Sequence, residues 1–216
     1  ERFIPYPALH LGMMAFGLLV LFIVGLASYI LYSIFYSAFV EVGFSRWEAT
    51  FIVFGSIVFG LIDLPLFIYH NWIIAINIGG ALIPILISIY LMAKKRFAVS
   101  ALVGIIIVAF FTYNVTEVTA AGISSSFPFW LLPPAVASLF SLLVSYKKPK
   151  KAAPLAYVTG TLGVLVGADF LHLPELLQTH LSHAVEASIG GAAIFDMVFL
   201  AGIIAVLIDS LFILKK

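Results

Sequence analysis

Gly160-Thr-Leu-Gly-Val-Leu-Val-Gly-Ala-Asp169 and Ser188-Ile-Gly-Gly-Ala-Ala-Ile-Phe-Asp196-Met-Val-Phe-Leu-Ala-Gly202 are two apolar stretches, each with a single carboxylate. An ionised Asp at the centre of a lipid-embedded helix costs roughly 2.5–3.5 kcal/mol even on the gentler insertion scales, so it faces a bundle interior, water or a partner. Two of them in consecutive runs point to one shared site.

The rest of the chain makes lipid the solvent. Of 216 residues, 63% are hydrophobic and 10% charged, whereas a soluble domain is about half apolar and about a quarter charged. The reading is an all-α integral membrane protein, a polytopic transmembrane helical bundle forming one domain over 1–216, with the lipid bilayer as its surroundings. A net charge of +1 gives no sign of a nucleic-acid partner, and the absence of Cys removes disulfides and thiolate chemistry. No short apolar stretch precedes a small-residue cleavage site, so a retained secretory signal is not expected.

A spanning helix needs about 20 apolar residues. By that measure the chain divides into about seven spans, near 11–40, 49–69, 72–93, 97–116, 128–146, 154–173 and 188–214. Threading these through a bilayer puts Arg46, Lys94-Lys95-Arg96, the 147–151 cluster and Lys215-Lys216 on one side. Arg2, His70, Glu117, Glu175, His180, His183 and Glu186 fall on the other. Lys and Arg collect in cytoplasmic loops, so the expected location is the cytoplasmic membrane, N-terminus outside and C-terminus inside.

At about 1.5 Å of rise per residue, Asp169 stands about 20 Å above the inner end of the sixth span, and Asp196 about 12 Å below the outer end of the seventh. Both fall in the outer half of a ~30 Å core. Asp63 in the second span and Asn77 near the start of the third come out at similar heights.

Asn77-Ile-Gly-Gly-Ala-Leu-Ile83 matches Ser188-Ile-Gly-Gly-Ala-Ala-Ile194 at five of seven positions, and an Asp-bearing run precedes each. Spans two and three are therefore candidates for a parallel repeat of spans six and seven, an arrangement that places transporter sites at the repeat interface. The alternative is that Gly-Gly-Ala serves only close helix packing.

Two neighbouring carboxyls share a proton, because like charges a few ångströms apart do not both ionise easily. That state activates water against a peptide bond; it also holds a proton or cation in a transporter. Asp169 and Asp196 are thus the candidate catalytic pair. Asp63 and Asn77 are candidate binding groups, and Gly167, Gly190 and Gly191 leave room for an extended substrate strand. The third alternative is a scaffold in which each Asp only bonds a neighbouring helix.

No cofactor is expected beyond one metal candidate. If the 172–186 connection is helical, His180, His183 and Glu186 lie successive turns apart, a spacing suited to zinc. Asn114-Val-Thr116 fits a glycosylation acceptor, Pro84 a kink inside the third span, and Asp209 an interfacial charge at the cytoplasmic end.

From Asp63 onward the chain resembles the domain of unknown function 1614 family of prokaryotic multi-pass membrane proteins. The residues that carry the likeness are Asn77-Ile-Gly-Gly-Ala-Leu-Ile-Pro84, Leu132-Pro-Pro-Ala135, Ala153-Pro-Leu-Ala-Tyr-Val-Thr-Gly-Thr-Leu-Gly163, Gly167-Ala-Asp169 and Ser188-Ile-Gly-Gly-Ala-Ala-Ile-Phe-Asp196. This resemblance implies the membrane fold and no activity; its members tend to carry Asn at the position of Asp63. More distantly, the order of two Asp in consecutive helices is similar to the presenilin and signal-peptide-peptidase class of intramembrane aspartyl proteases. Here Ala168 precedes the first Asp and Ala193-Ile-Phe195 the second, where that class has Tyr and Gly-x-Gly. The likeness implies a transmembrane peptide as substrate, where the transporter alternative implies a cation or proton.

Overall fold

The computed structural model describes residues 6–119, 122–179 and 183–213. Helix α1 (Tyr6–Val42) is apolar all round and has no interior proline, so nothing ends it for 37 residues. At 1.5 Å per residue it is about 55 Å long, well beyond a ~30 Å hydrocarbon core. Residues 12–30 are exposed; only the second half, through Phe35, Ala38, Phe39 and Val42, is buried against the other helices.

Helix α2 (Arg46–Phe59) opens on a capping box: Ser45 N donates to Glu48 Oε2 at 2.7 Å, and Glu48 N to Ser45 Oγ at 3.3 Å. Such a box satisfies two otherwise orphaned donors. The helix stops after 14 residues, and the expected span over 49–69 is not one helix. Asp63-Leu-Pro-Leu-Phe-Ile-Tyr69 is strand β1 instead, because Pro65 supplies no helical donor and aromatic and β-branched residues suit a strand. His70 and Asn71, with His70 at φ 51°, reverse the chain into β2 (Trp72–Asn77). The register runs from Asp63 opposite Asn77 to Tyr69 opposite Trp72, with a bulge between Pro65 and Phe67 where proline is tolerated.

A wide turn over Ile78–Leu82 leads into α3 (Ile83–Lys95). Pro84 lies just after the wide turn, in the first turn of α3 and inside the continuous helical stretch Ile78–Lys95. Helix α4 (Ala98–Val115) is followed by a small hairpin of β3 (Glu117–Thr119) and β4 (Gly122–Ser124), then by α5 (Leu132–Val144). Helix α6 (Ala152–Val164) continues through a wide turn, Leu165–Phe170, into α7 (Leu171–Gln178). Strand β5 (Val185–Ile189) pairs parallel to β2, giving the order β1-β2-β5, and α8 (Met197–Ile213) follows.

Among the described residues, four helical stretches are long and apolar enough to cross a membrane: Gly12–Val42, Ile78–Lys95, Ala98–Val115 and Pro149–Gln178. Two more, Phe129–Val144 and Met197–Ile213, are apolar but shorter. Relative to the expected spans, the third starts at 78 and not 72, the sixth runs on to 178, and the last starts at 197 because 185–189 is strand.

Helix α6 is the axis of the bundle. Every residue from Ala152 to Thr161 is buried, and the helix packs against α4, α5 and α8. The two ends of the bundle differ in charge. Arg96, Lys147, Lys148 and Lys151 surround one cleft, and Lys95 and Lys150 border another beside Val42 and Ile213. The opposite end carries the strands with Asp63, Asp169 and Asp196.

Candidate functional site

Asp169 sits in the wide turn that joins α6 to α7. Single π-type turns inside α-helices recur at functional sites, because the extra residue re-aims a side chain. Gly167 allows this turn to lie against α4, since a Cβ there would meet Ala109 O at 2.5 Å. The Asp169 carboxyl is half-buried and, among the described residues, receives no hydrogen bond.

Asp196 is held differently. It precedes α8 with extended backbone, and its Oδ1 accepts from Val198 N at 2.9 Å while Leu200 N bonds its carbonyl at 2.8 Å. It is the N-cap of that helix. A second, longer bond of 3.4 Å runs from Ala192 N to Oδ2.

The two carboxyls border the same space. Adjoining cavities of about 360 and 440 Å³ share Asp169, Asp196, Ile123 and Ala192 as wall. The first runs inward to Val164 and Leu200 and outward to Thr116 and Trp130. The second is bounded by four consecutive residues of β5, Glu186, Ala187, Ser188 and Ile189, and by Gly122 of the β3–β4 hairpin. Side chains alternate faces along a strand, so four consecutive residues on one cavity mean that the strand's free edge faces it.

Asp63 and Asn77 are brought together, but in a separate network. Asn77, fully buried, donates through Nδ2 to Gly60 O at 2.9 Å and to Asp63 Oδ1 at 3.2 Å, and its Oδ1 accepts from Gly80 N at 2.8 Å. Ser188 Oγ also donates to Asp63 Oδ1. This network ties β1, β2 and β5 together; Ser188 is its member that also borders the second cavity. Gly191 borders that cavity as well. Gly190, at φ +73°, packs against Gly80 and Ala81, where a methyl would lie 2.6 Å from Ala81 Cβ. The two Ile-Gly-Gly stretches thus leave parallel strands side by side and touch at their glycines.

For the zinc candidate, His180 lies outside the described residues. Glu186 is on strand β5, so the helical spacing that joined it to His183 does not hold. Among the described residues no group of three or more His, Cys, Asp or Glu is placed to hold a metal.

Two polar centres escape the sequence reading. His172, 4% exposed, places Nε2 at 3.0 Å from Thr116 Oγ1 and 3.3 Å from Tyr113 O, Nδ1 at 3.2 Å from Glu175 Oε2, and its ring flat on Tyr113. Because the Thr116 hydroxyl already donates to Thr112 O, it accepts from Nε2–H. The His172 and Glu175 spacing of i,i+3 was the available signal. Asp209 is no interfacial charge: it is fully buried, with Ser138 Oγ donating to Oδ1 at 2.5 Å and Ser141 Oγ to Oδ2 at 2.6 Å. Ser138-x-x-Ser141, one helical turn apart in an apolar helix, marked that site.

A family model described as "Protein of unknown function (DUF1614)" matches residues 37–208, which takes in the site but not the exposed half of α1. No curated protein and no solved structure matches the chain.

Proposed function

This chain belongs to the DUF1614 family, and from that premise we propose that it is a membrane-embedded hydrolase that cuts an extended peptide segment at Asp169 and Asp196. The observation that carries the reading is the unlike treatment of two carboxyls on one cavity: Asp196 is held by backbone donors at a helix N-terminus, Asp169 by none. Environments that push two acids apart assign the base and the acid. Asp196, favoured as carboxylate by those donors and by the positive end of α8, takes the proton from water as its oxygen adds to the peptide carbonyl. Asp169 then gives its proton to the nitrogen as the C–N bond breaks, leaving an acid and an amine. The free edge of β5 supplies the main-chain donors and acceptors that an extended substrate needs, as in strand addition.

The test is cleavage of transmembrane peptides by the full chain in lipid nanodiscs. Cleavage by the native protein that is lost in both Asp169→Asn and Asp196→Asn supports the proposal. Cleavage that survives either substitution, or a native protein that cuts no peptide in a broad panel, overturns it.

A second reading, proton- or cation-coupled transport, is favoured by a different observation. The two matching Ile-Gly-Gly stretches follow parallel, adjacent strands, as two copies of one unit would. Counterflow assays in liposomes separate it from hydrolysis.

A further inference from the structure

The basic end of the bundle holds a cleft of about 270 Å³ where the α3–α4 turn meets the α5–α6 connection. Arg96, Lys147, Lys148 and Lys151 surround it, and no carboxylate lines it. Among the described residues none of these four makes an ion pair; the pair that forms there joins His172 to Glu175. Four like charges around one cleft repel one another until an anion sits among them.

Three local features set the cleft apart from a solvated charge run. Arg96 ends α3 with left-handed backbone, φ 51°. Glycine takes that conformation without strain, so the guanidinium is what an Arg adds at this position. Next, Phe97 leaves the start of α4 without a side-chain cap, and the N–H groups of Ala98, Val99 and Ser100 have no acceptor among the described residues. Phe97 and Ser100 both border the cleft, and an uncapped helix N-terminus favours phosphate. Finally, Ser145 is only 5% exposed and borders the cleft, yet its hydroxyl bonds nothing among the described residues. A buried hydroxyl without a protein partner is the exception and calls for a partner from outside.

The surroundings indicate what carries the anion. Val144 on the rim of the cleft and Val99 in the first turn of α4 are exposed, as is the ring of Tyr146. In a membrane-embedded bundle such aliphatic side chains meet acyl chains, and aromatic rings collect at headgroup level. A soluble anion gains nothing from that rim. Arg presents a planar fork to two phosphate oxygens, and Lys a point charge. The volume is just under the roughly 300–1,000 Å³ of drug-sized pockets, which suits a headgroup whose chains lie outside.

We propose that this cleft binds the phosphate group of an anionic phospholipid. The four cations surround its oxygens, the α4 N-terminus and Ser145 donate to it, and the acyl chains run along Val99 and Val144. A free phosphate ion shares the headgroup chemistry but has no chains. Neither hydrolysis nor transport at the opposite end is required for this site.

The test follows fluorescence polarisation of an acyl-labelled phosphatidylglycerol in micelles of a neutral detergent as the full chain is added. Unlabelled phosphatidylglycerol should displace the probe, whereas phosphatidylcholine and inorganic phosphate at equal concentration should not. Arg96→Gln and Ser145→Ala should each weaken binding about tenfold, the effect of losing a hydrogen bond to a charged group. Lys150→Gln, in the neighbouring cleft, should leave it within about twofold. Ser145→Ala keeps the charge, so it separates a built site from diffuse attraction; Arg96 is exposed, so Arg96→Gln decides if the Ser145 variant does not fold. Displacement by inorganic phosphate as effective as by phosphatidylglycerol assigns the cleft to a soluble anion and overturns the lipid. Displacement by phosphatidylcholine, or native affinity in either variant, overturns the site.

Discussion

Asp169 and Asp196 look alike in the sequence and differ in what they do for the fold. Asp196 caps α8, so Asp196→Ala is expected to lower stability by about 1 kcal/mol. Asp169 accepts no hydrogen bond among the described residues, and Asp169→Asn, which exchanges a protonated carboxyl for a neutral amide of the same shape, is expected to leave stability unchanged. Unfolding in mixed detergent micelles measures both; equal losses in the two variants would contradict the assignment of the cap. Glycine positions give a second check at this scale. A methyl on Gly80 would run into the Gly190 carbonyl, so Gly80→Ala is expected to cost on the order of 1–3 kcal/mol. Gly122→Ala meets nothing within 4 Å and suffers only from its positive φ. The Asp pair and the small-residue positions were legible because an acid or a run of glycines is conspicuous in an apolar sequence. Asp209 was misplaced because nearness to the C-terminal lysines suggested a wet charge, and only the meeting of α5 with α8 supplies its two hydroxyl donors.

The element that most changes the picture is the β1-β2-β5 sheet. Hydropathy counted Asp63–Tyr69, Trp72–Asn77 and the end of β5 at Ser188-Ile189 into spanning helices, since apolar content does not separate a short strand from part of a helix. Pro65, the His70-Asn71 break and the aromatic and β-branched residues around them were the local signs of a hairpin. The parallel partner, more than a hundred residues away, left no local sign at all. The pairing of Ile73 with Glu186 is directly testable because the chain has no cysteine of its own. The double variant Ile73→Cys, Glu186→Cys is expected to join rapidly with a short thiol cross-linker, and Tyr69→Cys with Glu186→Cys more slowly, because β2 lies between their strands. Failure of the first pair to react in native membranes would remove the sheet, and with it the strand edge on the substrate cavity.

For the whole molecule the charge polarity is the organising fact. Basic residues gather at one end of the bundle and the acid pair, the strands and both cavities at the other. From the distribution of Lys and Arg we propose that the basic end faces the cytoplasm. A single cysteine introduced at Lys148 is therefore expected to resist a membrane-impermeant maleimide in intact cells, and one at Phe127 to react. The reverse pattern would invert the orientation and the direction in which the site opens. The sequence by itself determined the membrane class, the helical bundle, the uneven ends and the two carboxylates, because these follow from hydropathy, charge count and the cost of an acid in lipid, all local quantities. Tertiary structure alone decided which acid is capped and which is not, that the runs of β1, β2 and β5 are strands, and that a third acid is buried between α5 and α8. Those outcomes depend on which distant groups meet, and the donors that satisfy a carboxyl or a strand edge are separated from it by tens of residues along the chain.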